Sequence, residues 1–126
     1  MNRKELQQYI QNVYGVEPDY PWQRYPGYAV FRHSANRKWF AVVMDVPKCK
    51  LGLKGDENLD MVNLKCGEML ACTLIGERGY FPAYHIKKPS WITADLGSVA
   101  DEELQMLLDV SFQETMPKVR KKRYKE

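Results

Sequence analysis

Lys38-Trp39-Phe40-Ala41-Val42-Val43-Met44-Asp45-Val46 is the stretch whose reading decides the fold. Only Lys38 and Asp45 interrupt its apolar run. A short, almost continuously apolar run of this kind is a central strand with little exposed surface. Upstream, Tyr28-Ala29-Val30-Phe31-Arg32 is β-rich, and Ser34-Ala35-Asn36-Arg37 reads as a turn. Residues 28–46 therefore predict a β-hairpin.

Downstream, residues 47–58 are rich in Gly and Lys and lack periodicity, which suits a mobile loop or an irregular hairpin tip. Leu59 to Lys65 is a third strand, with Leu59, Met61 and Asn63 on one face and Val62 and Leu64 on the other. A helix is expected over Gly67–Glu77, with Met69, Leu70, Thr73 and Leu74 inward and Gly79 as its stop. Phe81–Lys87 and Trp91–Asp95 read as two more strands, joined by Lys88-Pro89-Ser90.

Helices flank this β-rich centre. Leu6, Tyr9, Ile10, Val13 and Tyr14 recur at helical spacing, so residues 2–14 predict an amphipathic helix. Asn2 and Glu5 stand at capping-box spacing, and Gly15 is placed to end the helix. Residues 17–27 hold Pro18, Pro21, Pro26 and Gly27, which imply an ordered but irregular connector, packed on the domain by Tyr20, Trp22 and Tyr25. A last helix is expected over Asp101–Thr115, with Leu104, Leu107, Leu108, Ser111, Phe112 and Thr115 on one face. Asp101, Glu102 and Glu103 load its first turn, where the helix dipole favours negative charge. The order is α-βββ-α-ββ-α. It specifies an α+β two-layer sandwich, an antiparallel sheet with helices on one side.

The chain has 126 residues, which fits one domain over residues 1–116. A domain of that size buries roughly 65% of its unfolded surface and needs no disulfide or metal staple. No run of about 18 apolar residues is present, so no transmembrane helix and no membrane partner are expected. The start lacks the apolar centre of a signal peptide, and the three cysteines form no CxxC pair. Both features suit a cytoplasmic protein with reduced thiols.

The net charge of +3 is unevenly placed. Residues 117–126 hold Lys118, Arg120, Lys121, Lys122, Arg123 and Lys125 against Glu126 alone, a basic tail of +5 expected to be flexible. The remainder is therefore −2. Within it, Tyr20 to Met44 contains no acid but has Arg24, Arg32, Arg37 and Lys38 among Trp22, Tyr25, Tyr28, Phe31, Trp39 and Phe40. Arg78 to Ala94 is likewise free of acids and holds Lys87 and Lys88 among Tyr80, Tyr84 and Trp91. Basic hairpin tips with nearby aromatics suit nucleic-acid binding, so Arg24, Arg32, Arg37, Lys38, Lys87 and Lys88 are the candidate contacts. A solvated basic face over an ordinary aromatic core explains the same pattern.

Catalytic signals are absent. There is no GxGxxG, P-loop, HExxH or GxSxG. His33 and His85 read as packing or surface histidines, and they match no metal-ligand spacing. Cys66, at a strand-to-helix junction, is a conceivable nucleophile without a visible base. The expectation is a protein that is not an enzyme, with no catalytic residue, metal or cofactor.

Several blocks together resemble the MmcQ/YjbR family of small bacterial proteins, over about residues 3–116. They are Tyr20-Pro21-Trp22, Tyr28-Ala29-Val30-Phe31-Arg32-His33 with Asn36-Arg37-Lys38-Trp39-Phe40-Ala41, Val62-Asn63-Leu64-Lys65-Cys66, Pro82-Ala83-Tyr84-His85 with Trp91-Ile92-Thr93, and Ser111-Phe112. The resemblance implies a fold like those of secretion chaperones and frataxin-like sandwiches. It also implies a double-wing DNA-binding arrangement with hairpins as wings, and it carries no catalytic residues. The chain departs from the family at Ile86-Lys87-Lys88-Pro89-Ser90-Trp91, where Ser90 replaces a second histidine. DNA is thus the expected partner. A protein- or peptide-binding module of the secretion-chaperone kind is the alternative, with a sheet edge or apolar groove receiving the partner.

Overall fold

A computed structural model describes residues 1–117. The first helix, α1, spans Arg3–Tyr14. Its capping box is formed: the Asn2 side chain accepts from the Glu5 N–H, and the Glu5 side chain accepts from the Asn2 N–H. Gly15 ends it at φ 67°, in the left-handed region that costs glycine nothing. Leu6 and Ile10 are fully buried, whereas Val13, expected on the same face, is exposed. The connector then runs to β1 (Ala29–Arg32), β2 (Trp39–Pro47), a turn of 3-10 helix (Lys48–Leu51), β3 (Asn58–Lys65), α2 (Glu68–Leu74), β4 (Tyr80–Pro82), β5 (Trp91–Asp95) and α3 (Asp101–Thr115).

The five strands form one antiparallel sheet in the order β1-β2-β3-β5-β4. The expected α+β architecture is the observed one. All three helices pack on one face. Leu6 and Ile10 of α1, Ala71 of α2 and Leu104, Leu107 and Leu108 of α3 meet Phe31, Val43, Val62, Leu64 and Ile92 there. The opposite face carries Tyr28, Val30, Val42, Met44, Val46 and Met61. None of the three described α-helices covers it; Trp22 and Trp39 pack there together with Phe81 and Tyr84, and with Leu51 of the 3-10 turn. The expected split of β3 holds, with Met61 on this second face and Val62 and Leu64 towards the helices.

One irregularity governs how the sheet is dressed. β1 and β2 keep register from Ala29↔Val43 to Phe31↔Ala41, but the next pair is Arg32↔Trp39. Phe40 is the extra residue of a β-bulge. Strict alternation would send Phe40 to the open face and Trp39 to the helices. The bulge reverses this, so Phe40 joins Ala41 in the helix-side core and Trp39 turns to the open face. The β2–β3 register ends at Ala41↔Leu64. Ser111 of α3 fills the gap beyond it. Its hydroxyl donates to the Phe40 carbonyl at 2.6 Å and accepts the Lys65 N–H at 2.9 Å.

Two expectations change. α2 ends at Leu74, not Glu77, because Gly76 turns the chain at φ 98°. Its inward residues are Leu70, Ala71 and Leu74, while Met69 is 86% exposed and Thr73 bonds its own helix. The strand expected over Phe81–Lys87 stops at Pro82. Tyr84 donates its N–H to the Thr93 hydroxyl at 2.7 Å instead of to the ladder, and His85 adopts φ 64°, which breaks extended geometry. Of the basic extension expected over 117–126, residues 118–126 lie outside the described residues.

His33, expected to be a packing or surface histidine, is a core residue at the end of the first hairpin. Its ring lies 4.2 Å from Phe112 and 5.3 Å from Phe40, centroid to centroid. Its Nε2 stands 2.8 Å from Thr115 Oγ1 and 3.0 Å from the Phe112 carbonyl. The Thr115 hydroxyl donates to the Ser111 carbonyl at 2.7 Å, so the imidazole N–H serves as donor to this pair. Asn36 donates to the Thr115 carbonyl at 3.0 Å, which ties the β1–β2 turn to the C-terminal end of α3.

Two outcomes follow for stability. Ser111→Ala leaves a buried carbonyl and N–H unpaired, and chemical denaturation should show a loss of about 1–3 kcal/mol. No loss would mean that water replaces the hydroxyl. Burial lowers the His33 pKa below 6.5. As pH falls through that value the unfolded chain takes up a proton that the folded chain refuses, so stability is present above it and declines below it. His33→Gln should be less stable at neutral pH yet lose less stability as pH falls below 6.5. Equal pH dependence in both proteins would contradict a buried neutral imidazole.

Candidate functional site

The six basic residues marked by the charge map do not all lie together. Arg37, Lys38 and Lys88 line one cleft of about 350 Å³, where Lys65 joins them. Trp39, Trp91 and Thr115 complete its walls, and none of the described lining residues is acidic. The cleft lies where β2 begins, β3 ends and β5 begins. Antiparallel pairing of Lys65 with Trp91 places the third strand's terminal lysine beside the loop that carries Lys88. The turn bearing Arg37 and Lys38 is fixed by local bonds: His33 N–H to Lys38 O, Arg37 N–H to His33 O, and Lys38 N–H to Asn36 Oδ1. Arg37 sits at φ 62° to close this turn, an uncommon conformation for a residue with a Cβ.

The remaining three point elsewhere. Arg32 ends β1 with Nε 3.1 Å from Asp19 Oδ2, and its guanidinium lies over the Trp39 ring at 5.8 Å. Arg37 Nη2 reaches the same carboxylate oxygen at 3.5 Å. Arg24 is exposed in the connector turn closed by the Tyr25 N–H to Trp22 O bond. Lys87 is exposed in the 83–90 loop, and neither lines the cleft. Asp19 lies one residue outside the acid-free stretch, and its backbone bridges Val30 on the edge of the sheet. That bridge brings an acid onto Arg32, which a count along the chain does not register. Lys65 was missed because its partner is assigned by register, not by sequence distance.

A second cavity, about 270 Å³, opens on the helix-free face of the sheet. Trp22, Tyr25, Tyr28, Trp39, Tyr84 and His85 surround it, and Val42, Met44 and Asn63 lie at its base. The connector supplies Trp22 and Tyr25, the bulge supplies Trp39, and the 83–90 loop supplies Tyr84 and His85. The rings brace one another: Trp22 stands edge-on to Tyr28 (81°) and Trp39 (86°), and Tyr25 stacks on Tyr28. Desolvation, with the charge of Asp45 and neighbouring tyrosines, pushes the Tyr28 phenol up to about 12. Trp39 lines this pocket and the basic cleft alike, so the two are contiguous.

The base of the pocket is held by buried polar groups. Asn63 Nδ2 donates to the Tyr84 carbonyl at 2.8 Å, and the Thr93 hydroxyl bonds Asn63 Oδ1 and receives the Tyr84 N–H. Both side chains are buried. Buried polar groups are costly unless fully bonded, and these two spend their capacity on the Tyr84 backbone. They fix the chain next to His85, which has a positive φ and a ring 4.0 Å from that of Tyr84. Asn63, a polar residue on an apolar strand face, was the sequence signal for this clamp.

Cys66 and His85 are not brought together. Cys66 is buried in the helix-side core, and burial raises its pKa, whereas His85 is exposed on the opposite face. Among the described residues no group of three or more His, Cys, Asp or Glu could hold a metal ion. No described helix is long and apolar enough to cross a membrane.

Known proteins share this architecture. A crystal structure of a Pseudomonas syringae protein superposes with a TM-score of 0.89 at 43% identity, covering 92% of this chain and 100% of that one. A Deinococcus radiodurans crystal structure, 20% identical with a TM-score of 0.68, shares the fold over 97% of this chain and 84% of its own. YyaQ of Bacillus subtilis (strain 168) is 37% identical over 113 residues, which span 89% of this chain and 96% of YyaQ. The YjbR family model matches residues 11–114, and with these relatives it establishes that the chain belongs to the YjbR family.

Proposed function

We propose that the protein binds DNA through the cleft formed by Arg37, Lys38, Lys65 and Lys88. The observation that carries this reading is the convergence of four cations from three separate segments on one cleft with no acidic wall. Among the described residues Lys38, Lys65 and Lys88 form no ion pair, so their charge is available to a ligand. Arg37 alone of the four reaches a described acid, Asp19 at 3.5 Å; the three lysines gathered beside it repel one another, and a polyanion relieves that cost while releasing its own counterions. Thr115 lines the same cleft, and the run of six basic residues begins at Lys118, three positions later in sequence. Such contacts position a nucleic acid through its phosphates and carry no sequence information.

The earlier set of contacts is thereby narrowed. Arg37, Lys38 and Lys88 are retained and Lys65 is added; Arg24, Arg32 and Lys87 lie outside the cleft, and Asp19 engages Arg32 more closely (3.1 Å) than it does Arg37 (3.5 Å). The alternative of strand addition at a sheet edge has less support. Val30 on β1 already exchanges both backbone bonds with Asp19 at 2.8 Å, and β4 is three residues long and ends in proline.

Anisotropy titrations of the whole chain with a short DNA duplex test the proposal. Four neutralised phosphates give a slope of log affinity against log salt of about −3.6 or steeper. Reversing Lys38 and Lys88 together (K38E, K88E) should weaken binding at least tenfold at low salt and reduce that slope by about 2. Reversing Arg24 and Lys87 should leave both nearly unchanged. Equal losses in the two pairs would replace a defined cleft with diffuse surface charge, and salt-independent binding would dismiss it.

A further inference from the structure

We propose that the aromatic pocket receives one unpaired base of a single DNA strand whose phosphates run through the adjoining cleft. This rests on the cleft reading above and adds what that reading lacks, a place for a base.

Three features select the occupant. The first is shape. At about 270 Å³ the cavity is smaller than the roughly 300–1,000 Å³ typical of sites for drug-sized ligands, so it suits a single ring system. Its walls are the aromatic side chains of Trp22, Tyr25, Tyr28, Trp39 and Tyr84, the side-chain type on which bases stack regardless of identity.

The second is charge. Aromatic enclosures also take organic cations, but here Arg32 already sits over Trp39 and the contiguous cleft is lined by four cations. Asp45, whose charge bears on Tyr28, is not among the lining residues. A guest that joins a neutral ring to a neighbouring anion matches this combination, and a nucleotide within a strand is such a guest. The raised Tyr28 phenol stays neutral at physiological pH and does not repel the phosphate.

The third is preorganisation. Asn63 and Thr93, both buried, spend their bonds on the Tyr84 backbone, next to His85 in a left-handed conformation that residues with a Cβ seldom adopt. Strain beside a satisfied buried network marks a surface shaped for a ligand. A duplex cannot use this pocket without extruding a base, so the pocket favours a single strand over a duplex.

The experiment compares the whole chain's affinity for a short thymidine oligomer and for an abasic phosphodiester oligomer of equal length, at several salt concentrations. Stacking of one base should make the thymidine oligomer bind roughly five- to hundredfold tighter. Tyr25→Ser, at a position already 45% exposed, should abolish that difference while leaving abasic binding and its salt slope unchanged. Trp22→Leu, which keeps an apolar filler against Tyr28 and Trp39, serves as a second variant should the first unfold. Equal affinity for the two oligomers, or variants that weaken both alike, would overturn the pocket assignment. So would thymidine monophosphate binding as tightly as the oligomer. If the abasic oligomer shows salt-dependent binding without any gain from bases, the pocket proposal fails and the cleft stands. If base-dependent affinity ignores salt, the cleft fails instead.

Discussion

The Ser111 hydroxyl, set between the Phe40 carbonyl and the Lys65 N–H, is the contact on which both faces of this protein depend. The β2–β3 ladder ends there, beside the residue that bulges β2 against β1, and buried groups at such an end are costly unless something bonds them. A serine on α3 does so with one oxygen, donating one bond and accepting another. In doing so it locks the helix to the strands at the bulge. Phe40 is held in the core, where it meets Tyr14 and Phe112 as well as His33. Trp39 is left on the other face, where it separates and joins the aromatic pocket and the basic cleft.

The two faces of the sheet are dressed by different physics. Helices cover one face with aliphatic side chains, and that layer carries most of the burial. The other is covered by two irregular segments, the proline-rich connector and the 83–90 loop, which cannot satisfy their own backbone bonds. They borrow partners instead: Asp19 pairs with Val30, and Tyr84 is bonded by Asn63 and Thr93. Irregular segments held on a rigid sheet present side chains at angles that strands and helices do not offer. The pocket is the result, with rings from connector and bulge meeting nearly at right angles and those of the loop tilted against them.

Legibility in the sequence followed the range of the interaction. The α1 capping box and the apolar face of α3 are local patterns and were read correctly, as was the alternation in β3. α2 was overextended and its stripe rotated because seven residues give too little periodicity to orient a helix. The strand at Phe81–Lys87 was overdrawn because its composition suits a strand until a Thr93 hydroxyl takes the bond that the ladder needs. The charge map named Arg37, Lys38 and Lys88, which line one cleft. It did not name Lys65, and it did not register the acid beside Arg32, because Trp91 and Asp19, which set those two positions, are brought in by strand pairing.

By itself, the sequence determined the number and type of the elements and the antiparallel sheet with one helical layer, because hydrophobic period and turn chemistry act over a few residues; the family was legible separately, in the resemblance of its sequence blocks. Tertiary structure alone decided which cations share a cleft, which arginine is tied to an acid, and that an aromatic pocket lies beside that cleft. Each of these depends on register. A single bulged residue exchanges the faces of Trp39 and Phe40, and no local propensity records where the bulge falls.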